Sequence, residues 1–160
     1  MTSPDKKILS AETLPEWRNA LRADGRKLVF TNGCFDILHK GHVEYLFKAR
    51  AQGDALIVAM NSDASVRALK GEKRPLNNEN ARALVLASLY FVDAVIVFPS
   101  TRCDKIIRTV EPDVYVKGAD YNLDTMDASE KNVLLELGAE IRFVELTPGF
   151  STTSIIAKMG

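Results

Sequence analysis

The chain is short of the residues that would staple it, anchor it or charge it. Two cysteines in 160 residues, Cys34 and Cys103, do not make a disulfide framework. No apolar run reaches the ~18–20 residues that a membrane span needs. The opening MTSPDKKILSAE lacks the hydrophobic core of a secretory signal, so a cytoplasmic location and no membrane partner are expected. Charge of one sign is missing too, because 21 Lys and Arg balance 21 Asp and Glu. That balance argues against wholesale disorder and against a nucleic-acid binder built on net positive charge. Histidine is as scarce as cysteine, with two. What is present is a hydrophobic fraction of 46%, enough for a real core, in a length that suits a single domain over 1–160.

Residues 1–12 are polar and read as loose. Thr13-Leu14-Pro15-Glu16 has the pattern of a capping box with Pro inside the first turn. It opens a helix over 13–25, with Trp17, Ala20 and Leu21 on the apolar face and Gly25 as its stop. Apolar runs at 27–31, 54–60, 94–98, 113–116 and 140–146 then alternate with helical patterns at 43–51, 62–69, 78–90, 105–110 and 129–137. A last short helix covers 152–158. In the 43–51 helix the apolar face is read as Val43, Leu46, Phe47 and Arg50. The strands are continuous apolar runs rather than clean alternations, which means a parallel sheet covered on both faces. The expected fold is therefore α/β, a Rossmann-like doubly wound sheet of five parallel strands. Such sheets bind ligands beyond the carboxyl ends of the strands, where the strand order reverses.

After the first strand comes Gly33-Cys34-Phe35-Asp36-Ile37-Leu38-His39-Lys40-Gly41-His42. Gly33 allows a tight turn, and loop N–H groups followed by a helix N-terminus form an anion site. The stretch is neither a Walker loop nor a dinucleotide GxGxxG. His39 and His42 hold both imidazoles of the chain in one tetrapeptide, aimed at one anion, with Gly41 giving close backbone approach. Two structural histidines are the bland alternative. A zinc site with Cys34 is another, but zinc needs three or four protein ligands and Cys103 is remote in sequence, so no zinc is expected. After the second strand, Ser62 of Asn61-Ser62-Asp63 suits a helix cap. Lys70-Gly71-Glu72-Lys73-Arg74-Pro75 is a flexible basic loop, with solvated charge as its bland reading. Lys117-Gly118-Ala119-Asp120-Tyr121 follows the fourth strand. Ser151-Thr152-Thr153 opens the last helix, where hydroxyls either cap or hold phosphate.

GCFDILHKGH at 33–42, KGADY after the fourth strand and Ser-Thr-Thr at 151–153 together resemble the HxGH nucleotidyltransferases. Within them, FTNGCFDILHKGHVEYL, NSDASVRALKGEKRP, EPDVYVKGADY and STTSII are similar to the adenylyltransferases that make ADP-heptose, over roughly residues 8–158. Those enzymes join ATP to D-glycero-β-D-manno-heptose 1-phosphate in lipopolysaccharide precursor synthesis. In many bacteria the activity is fused behind a sugar kinase. A chain of 160 residues has no room for one, so the stand-alone form with a separate upstream kinase is expected. The cytidylyltransferase relatives carry an arginine shortly before Ser-Thr-Thr. Here that stretch is Thr147-Pro148-Gly149-Phe150, which weakens a CTP assignment.

The resemblance implies attack by a sugar-phosphate oxygen on the α-phosphorus of ATP, with pyrophosphate leaving. It implies catalytic roles for His39, His42 and Lys70. Nucleotide contacts would come from Thr31, Asn32, Gly33, Cys34, Phe35 and Gly41 beside the first strand, and from Lys117, Gly118, Asp120, Ser151, Thr152 and Thr153. Asp36, Asn61 and Arg82 would meet phosphate or acceptor, although Arg82 alone reads equally as a surface ion pair. Mg²⁺ would accompany ATP, with ligands the sequence does not name, and a homodimer is implied. Cys34 reads as a small loop residue, since no step needs a covalent intermediate. The alternatives are transfer to another small phosphate such as glycerol 3-phosphate, and a nucleotide-sensing module without turnover. The intact histidine pair, Lys70 and Ser-Thr-Thr argue against the second.

Overall fold

The structure, a computed structural model, describes residues 2–160. Six parallel strands form one sheet: β1 (Ile8–Leu9), β2 (Leu28–Gly33), β3 (Ala55–Asn61), β4 (Ala94–Phe98), β5 (Val114–Gly118) and β6 (Glu140–Val144). Their order is β1-β4-β3-β2-β5-β6. The chain winds outward from β2 through β3 to β4, then crosses back to lay β5 on the other side of β2. The strand order thus reverses between β2 and β5.

Among the described residues there are seven α-helices, six between strands and the last after β6: α1 (Leu14–Ala23), α2 (Lys40–Arg50), α3 (Asp63–Lys70), α4 (Glu79–Ala87), α5 (Asp104–Val110), α6 (Ala128–Leu137) and α7 (Thr152–Met159). Each face of the sheet carries its own core, and β3 shows why. All seven of its residues are buried. Ala55, Ile57 and Ala59 go to one core with residues of α1, α5 and α6, whereas Leu56, Val58 and Met60 go to the other with residues of α2 and α4. A strand with partners on both faces has no polar side to show, hence the unbroken apolar run.

Acids at the strand starts bind the amino ends together. Asp113 accepts the Leu28 N–H at 2.7 Å, Asp93 accepts the Leu56 N–H at 2.8 Å, and Asp54 accepts the Lys27 N–H at 2.8 Å. The carboxyl ends, where the chemistry is expected, stay open.

Several expectations need correction. The sheet has a sixth strand in the segment read as loose. Ile8 and Leu9 pair with Val95 and Ile96 at the edge, behind a 3₁₀ turn at Pro4–Lys7, and Lys7 Nζ donates to the Leu89 and Val92 carbonyls. Two residues are too short to carry a periodicity. No capping box forms at Thr13, which is itself helical; its hydroxyl accepts the Ser10 N–H instead. Arg18, not Ala20, is buried in α1, because its guanidinium reaches the Glu111 carbonyl and pairs with Asp113 at 3.0 Å. α2 begins earlier than 43. Its inward residues include His42, Tyr45, Leu46 and Ala49, while Phe47 is half exposed. α4 stops at Ala87 rather than 90. Its Ala83, Leu86 and Ala87 pack on the sheet, and Leu84 and Val85 face outward.

Candidate active site

The β2–β5 ladder pairs only Val29 with Val114 and Phe30 with Tyr115, against six pairs between β2 and β3. Beyond that point side chains take over the backbone groups. The Thr31 and Tyr45 hydroxyls lie 2.7 Å apart, and each reaches the Val116 carbonyl at 3.0 Å. An unpaired buried carbonyl would be costly, so this pair of hydroxyls lets the strands part. A cavity of about 640 Å³ opens there, over the carboxyl ends of β2 and β5.

The histidines stand at its centre. His39 is the N-cap of α2, and its Nδ1 accepts the His42 N–H at 3.4 Å. Nδ1 as acceptor leaves the proton on Nε2, so neutral His39 is a donor. The two imidazoles stack with centroids 3.8 Å apart, and Phe35 meets the His42 ring edge-on at 5.1 Å. Burial pushes His42 down to about 4, with His39 adding to it, and burial lowers His39 as well. At neutral pH the pair therefore offers uncharged hydrogen-bond donors poised to gain charge beside an anion. Gly41 leaves room for its neighbours. A Cβ there would lie 3.0 Å from both His39 Cε1 and Phe150 Cβ.

Cations enter from the β3 side. Lys70 ends α3 and is exposed on the cavity wall. Arg74 is set by Asp36, which is almost wholly buried and accepts from Arg74 Nε at 2.6 Å, Leu76 N at 2.9 Å and Asn77 N at 3.0 Å. Burial alone would raise the Asp36 carboxyl. The N–H groups of Asn77 and Leu76 and the Arg74 guanidinium outweigh it and hold it below the usual range. On the other side stand Lys117, Asp120, Tyr121 and the start of α7. The Ser151 hydroxyl caps α7 by accepting the Ser154 N–H at 3.0 Å. Thr152 and Thr153 remain at a helix terminus that favours negative charge.

The cavity wall includes His39, His42, Lys70, Asn32, Gly33, Cys34, Phe35, Gly41, Lys117, Gly118, Asp120, Ser151, Thr152 and Thr153, as well as Asp36 and Asn61. Two expected site residues lie elsewhere. Thr31 is fully buried beneath the cavity, tied to Val116. Arg82 is 2% exposed; its guanidinium donates to the carbonyls of Cys34, Asn61 and Asn77 at 2.7, 2.9 and 3.0 Å and to Asp63 Oδ1 at 2.7 Å. Buried and with these donors spent inside the fold, it is not the surface ion pair that its sequence also allowed. It is a strut joining the loops after β2 and β3. Asp36 likewise spends its oxygens on Arg74 and the 76–77 backbone. For Cys34, burial raises the thiol although Lys70, Arg82 and Arg74 pull it down, so the site does not favour a thiolate.

Sequence reasoning missed Arg74, Tyr45, Tyr121, Thr101, Leu146 and Phe150 on the wall. Tyr45 carried a signal: His42, Tyr45, Leu46 and Ala49 share the i, i+3, i+4, i+7 spacing of Val43, Leu46, Phe47 and Arg50, and end on Ala49 where the other face ends on a charged residue. Arg74 stood in a basic loop that also read as solvated charge, and nothing local singled it out, because its partner Asp36 lies 38 residues away.

Residues 30–158 match the cytidylyltransferase-like family. The chain belongs to that family. It is a nucleotidyltransferase domain, and its HxGH tetrapeptide is the stacked pair described above. The bifunctional protein HldE of Wolinella succinogenes is 49% identical over 96% of this chain, and that of Rhodospirillum rubrum 50% identical over 99%. These matches take up 31% and 32% of the relatives, so the chain spans about a third of their length. Among solved structures, a lipopolysaccharide core biosynthesis protein from Thermoplasma volcanium superposes with a TM-score of 0.63 at 31% identity. That match covers 77% of this chain and 98% of the other. Among the described residues no helix is long and apolar enough to cross a membrane.

Proposed function

We propose that this nucleotidyltransferase transfers AMP from ATP to D-glycero-β-D-manno-heptose 1-phosphate, giving ADP-heptose and pyrophosphate for lipopolysaccharide precursor synthesis. One observation carries the chemistry: the neutral, stacked His39–His42 pair lies between a cationic wall at Lys70 and Arg74 and a helix N-terminus at Thr152 and Thr153. The relatives near 50% identity support the pathway.

The acceptor phosphate is already an anion, so no strong base is needed. Catalysis is positioning and charge stabilisation. In this mechanism His39 Nε2–H donates to an oxygen of the α-phosphate, and His42 gains affinity for a proton as charge builds there. Lys70 and Arg74 hold the departing pyrophosphate. The N–H groups after Gly33 and at Thr152 and Thr153 bind remaining oxygens. Mg²⁺ arrives as part of the substrate MgATP. Among the described residues no cluster of three or more His, Cys, Asp or Glu is built to hold a metal. Asp36 is already committed to Arg74, which leaves Asp120 as the cavity carboxylate for a metal-bound water. The same reading carries with it a cytoplasmic reaction, a homodimer, and a sugar kinase activity that supplies the heptose phosphate.

The test is kcat/KM for pyrophosphate release with ATP or CTP, each paired with heptose 1-phosphate or glycerol 3-phosphate. ATP with the heptose phosphate should win, because a site that pairs substrate hydroxyls is left with unpaired groups by a smaller acceptor. A win for CTP with glycerol 3-phosphate would overturn the substrate assignment. No turnover with any pair, from protein that binds ATP, would favour a sensing module.

A further inference from the structure

Past the end of the β2–β5 ladder, one face of the crevice is closed by a polar network that the mechanism above does not use. Alternation along the strands puts Phe30 and Asn32 of β2 beside Tyr115 and Lys117 of β5, under α6. Phe30 and Tyr115 stack at 5.8 Å. Tyr115 is fully buried, yet its hydroxyl reaches the cavity wall by donating to Asn32 Oδ1 at 3.1 Å. Behind it lies Glu130 of α6, which is buried at 6% exposure. Its Oε1 accepts the Cys103 N–H at 3.2 Å, and its Oε2 is a second, more distant acceptor for the Tyr115 hydroxyl at 3.5 Å and lies 3.6 Å from Lys117 Nζ. Lys117 also rests over the Tyr121 ring at 4.3 Å.

We propose that Tyr115 is a positioning residue, which locks the Asn32 amide so that its NH₂ group faces the cavity and donates to a bound phosphate. A free amide presents oxygen or nitrogen to a ligand with similar ease, and oxygen would repel phosphate. The phenol has one proton, and its nearer acceptor is Asn32 Oδ1, at 3.1 Å against 3.5 Å to Glu130 Oε2; with the proton there, Oδ1 is the occupied end of the amide and Nδ2 the offered one. The hydroxyl stays protonated, because burial and then Glu130 push Tyr115 well above its ordinary value. Glu130 holds Lys117 by the same carboxylate, so one buried acid backs cavity residues on both strands of the switch point. The proposal rests on the cavity being a phosphate site.

The experiment is calorimetric titration of ATP, and separately of inorganic pyrophosphate, into the parent protein, Tyr115→Phe, Asn32→Ala and the double variant. Removing the phenol oxygen alone keeps the ring in the core, and thermal unfolding verifies that each variant folds. Tyr115→Phe should weaken binding by roughly 3- to 10-fold, the worth of one oriented hydrogen bond. In the Asn32→Ala background the same substitution should cost nothing further, because the group it acts through is gone. An equal loss in both backgrounds, or no loss in either, overturns the positioning role. A parent protein that binds neither ATP nor pyrophosphate overturns the phosphate site itself, and the two failures are thereby distinct. If Asn32→Ala does not fold, Asn32→Ser takes its place with the same expectation.

Discussion

Mild acid should destabilise this protein through one imidazole. His42 titrates at about 4 in the folded chain, against an ordinary value of 6.5. Between those values the unfolded chain binds a proton that the native one refuses. The contribution to stability is therefore fully present above pH 6.5 and is lost as pH falls toward 4. The whole shift corresponds to about 3 kcal/mol, and about 2 kcal/mol of it falls between pH 7 and pH 5. His39, lowered by burial, adds with the same sign. Carboxylates that the fold holds low, such as Asp36, lose their contribution at lower pH, and that loss is common to parent and variant. Urea unfolding of parent and His42→Gln at pH 7, 6 and 5 reads the difference. The parent should lose about 2 kcal/mol more than the variant over that span. Equal pH dependence in the two proteins would show that His42 is not held neutral by burial, and the account of an uncharged donor pair would fall with it.

Three further outcomes follow from the same geometry. His39→Ala and His42→Ala should each lower kcat by roughly 10²–10³-fold while the protein stays folded, as loss of one charge-stabilising donor does; single-turnover kinetics with MgATP measures it. Lys70→Ala should weaken ATP binding with little change in melting temperature, whereas Arg82→Met should cost on the order of 3 kcal/mol of stability, because it leaves the buried Cys34 and Asn61 carbonyls unpaired. Paired calorimetry and urea titrations separate the two, and the reverse pattern would mean that Arg82 does reach ligand. Gly41→Ala should lower kcat/KM by roughly 3- to 10-fold, because a Cβ 3.0 Å from His39 Cε1 and Phe150 Cβ makes a neighbour give by a few tenths of an ångström; unchanged kinetics would show that the contact gives way.

The alternation of apolar runs with helical patterns was enough to determine a parallel, doubly wound sheet, because a strand covered on both faces must be apolar throughout. The one tetrapeptide holding both histidines, behind a glycine turn at a strand end, was likewise legible, and it lies on the cavity wall because its placement is local, within ten residues of the strand. Tertiary structure decided what depends on distant partners. Arg82 and Arg74 look alike in sequence, two cations near the start of the same region. The fold surrounds Arg82 with the carbonyls of two strand-end loops and makes it a strut. It gives Arg74 a single buried carboxylate, Asp36, and leaves it on the cavity wall. The edge strand at Ile8–Leu9 exists only because β4 offers a free edge, and two residues cannot announce that by themselves. The opening between β2 and β5 is of the same kind. It depends on hydroxyls of Thr31 and Tyr45 meeting at the Val116 carbonyl, 85 and 71 residues away in the chain, where only the packed sheet brings them together.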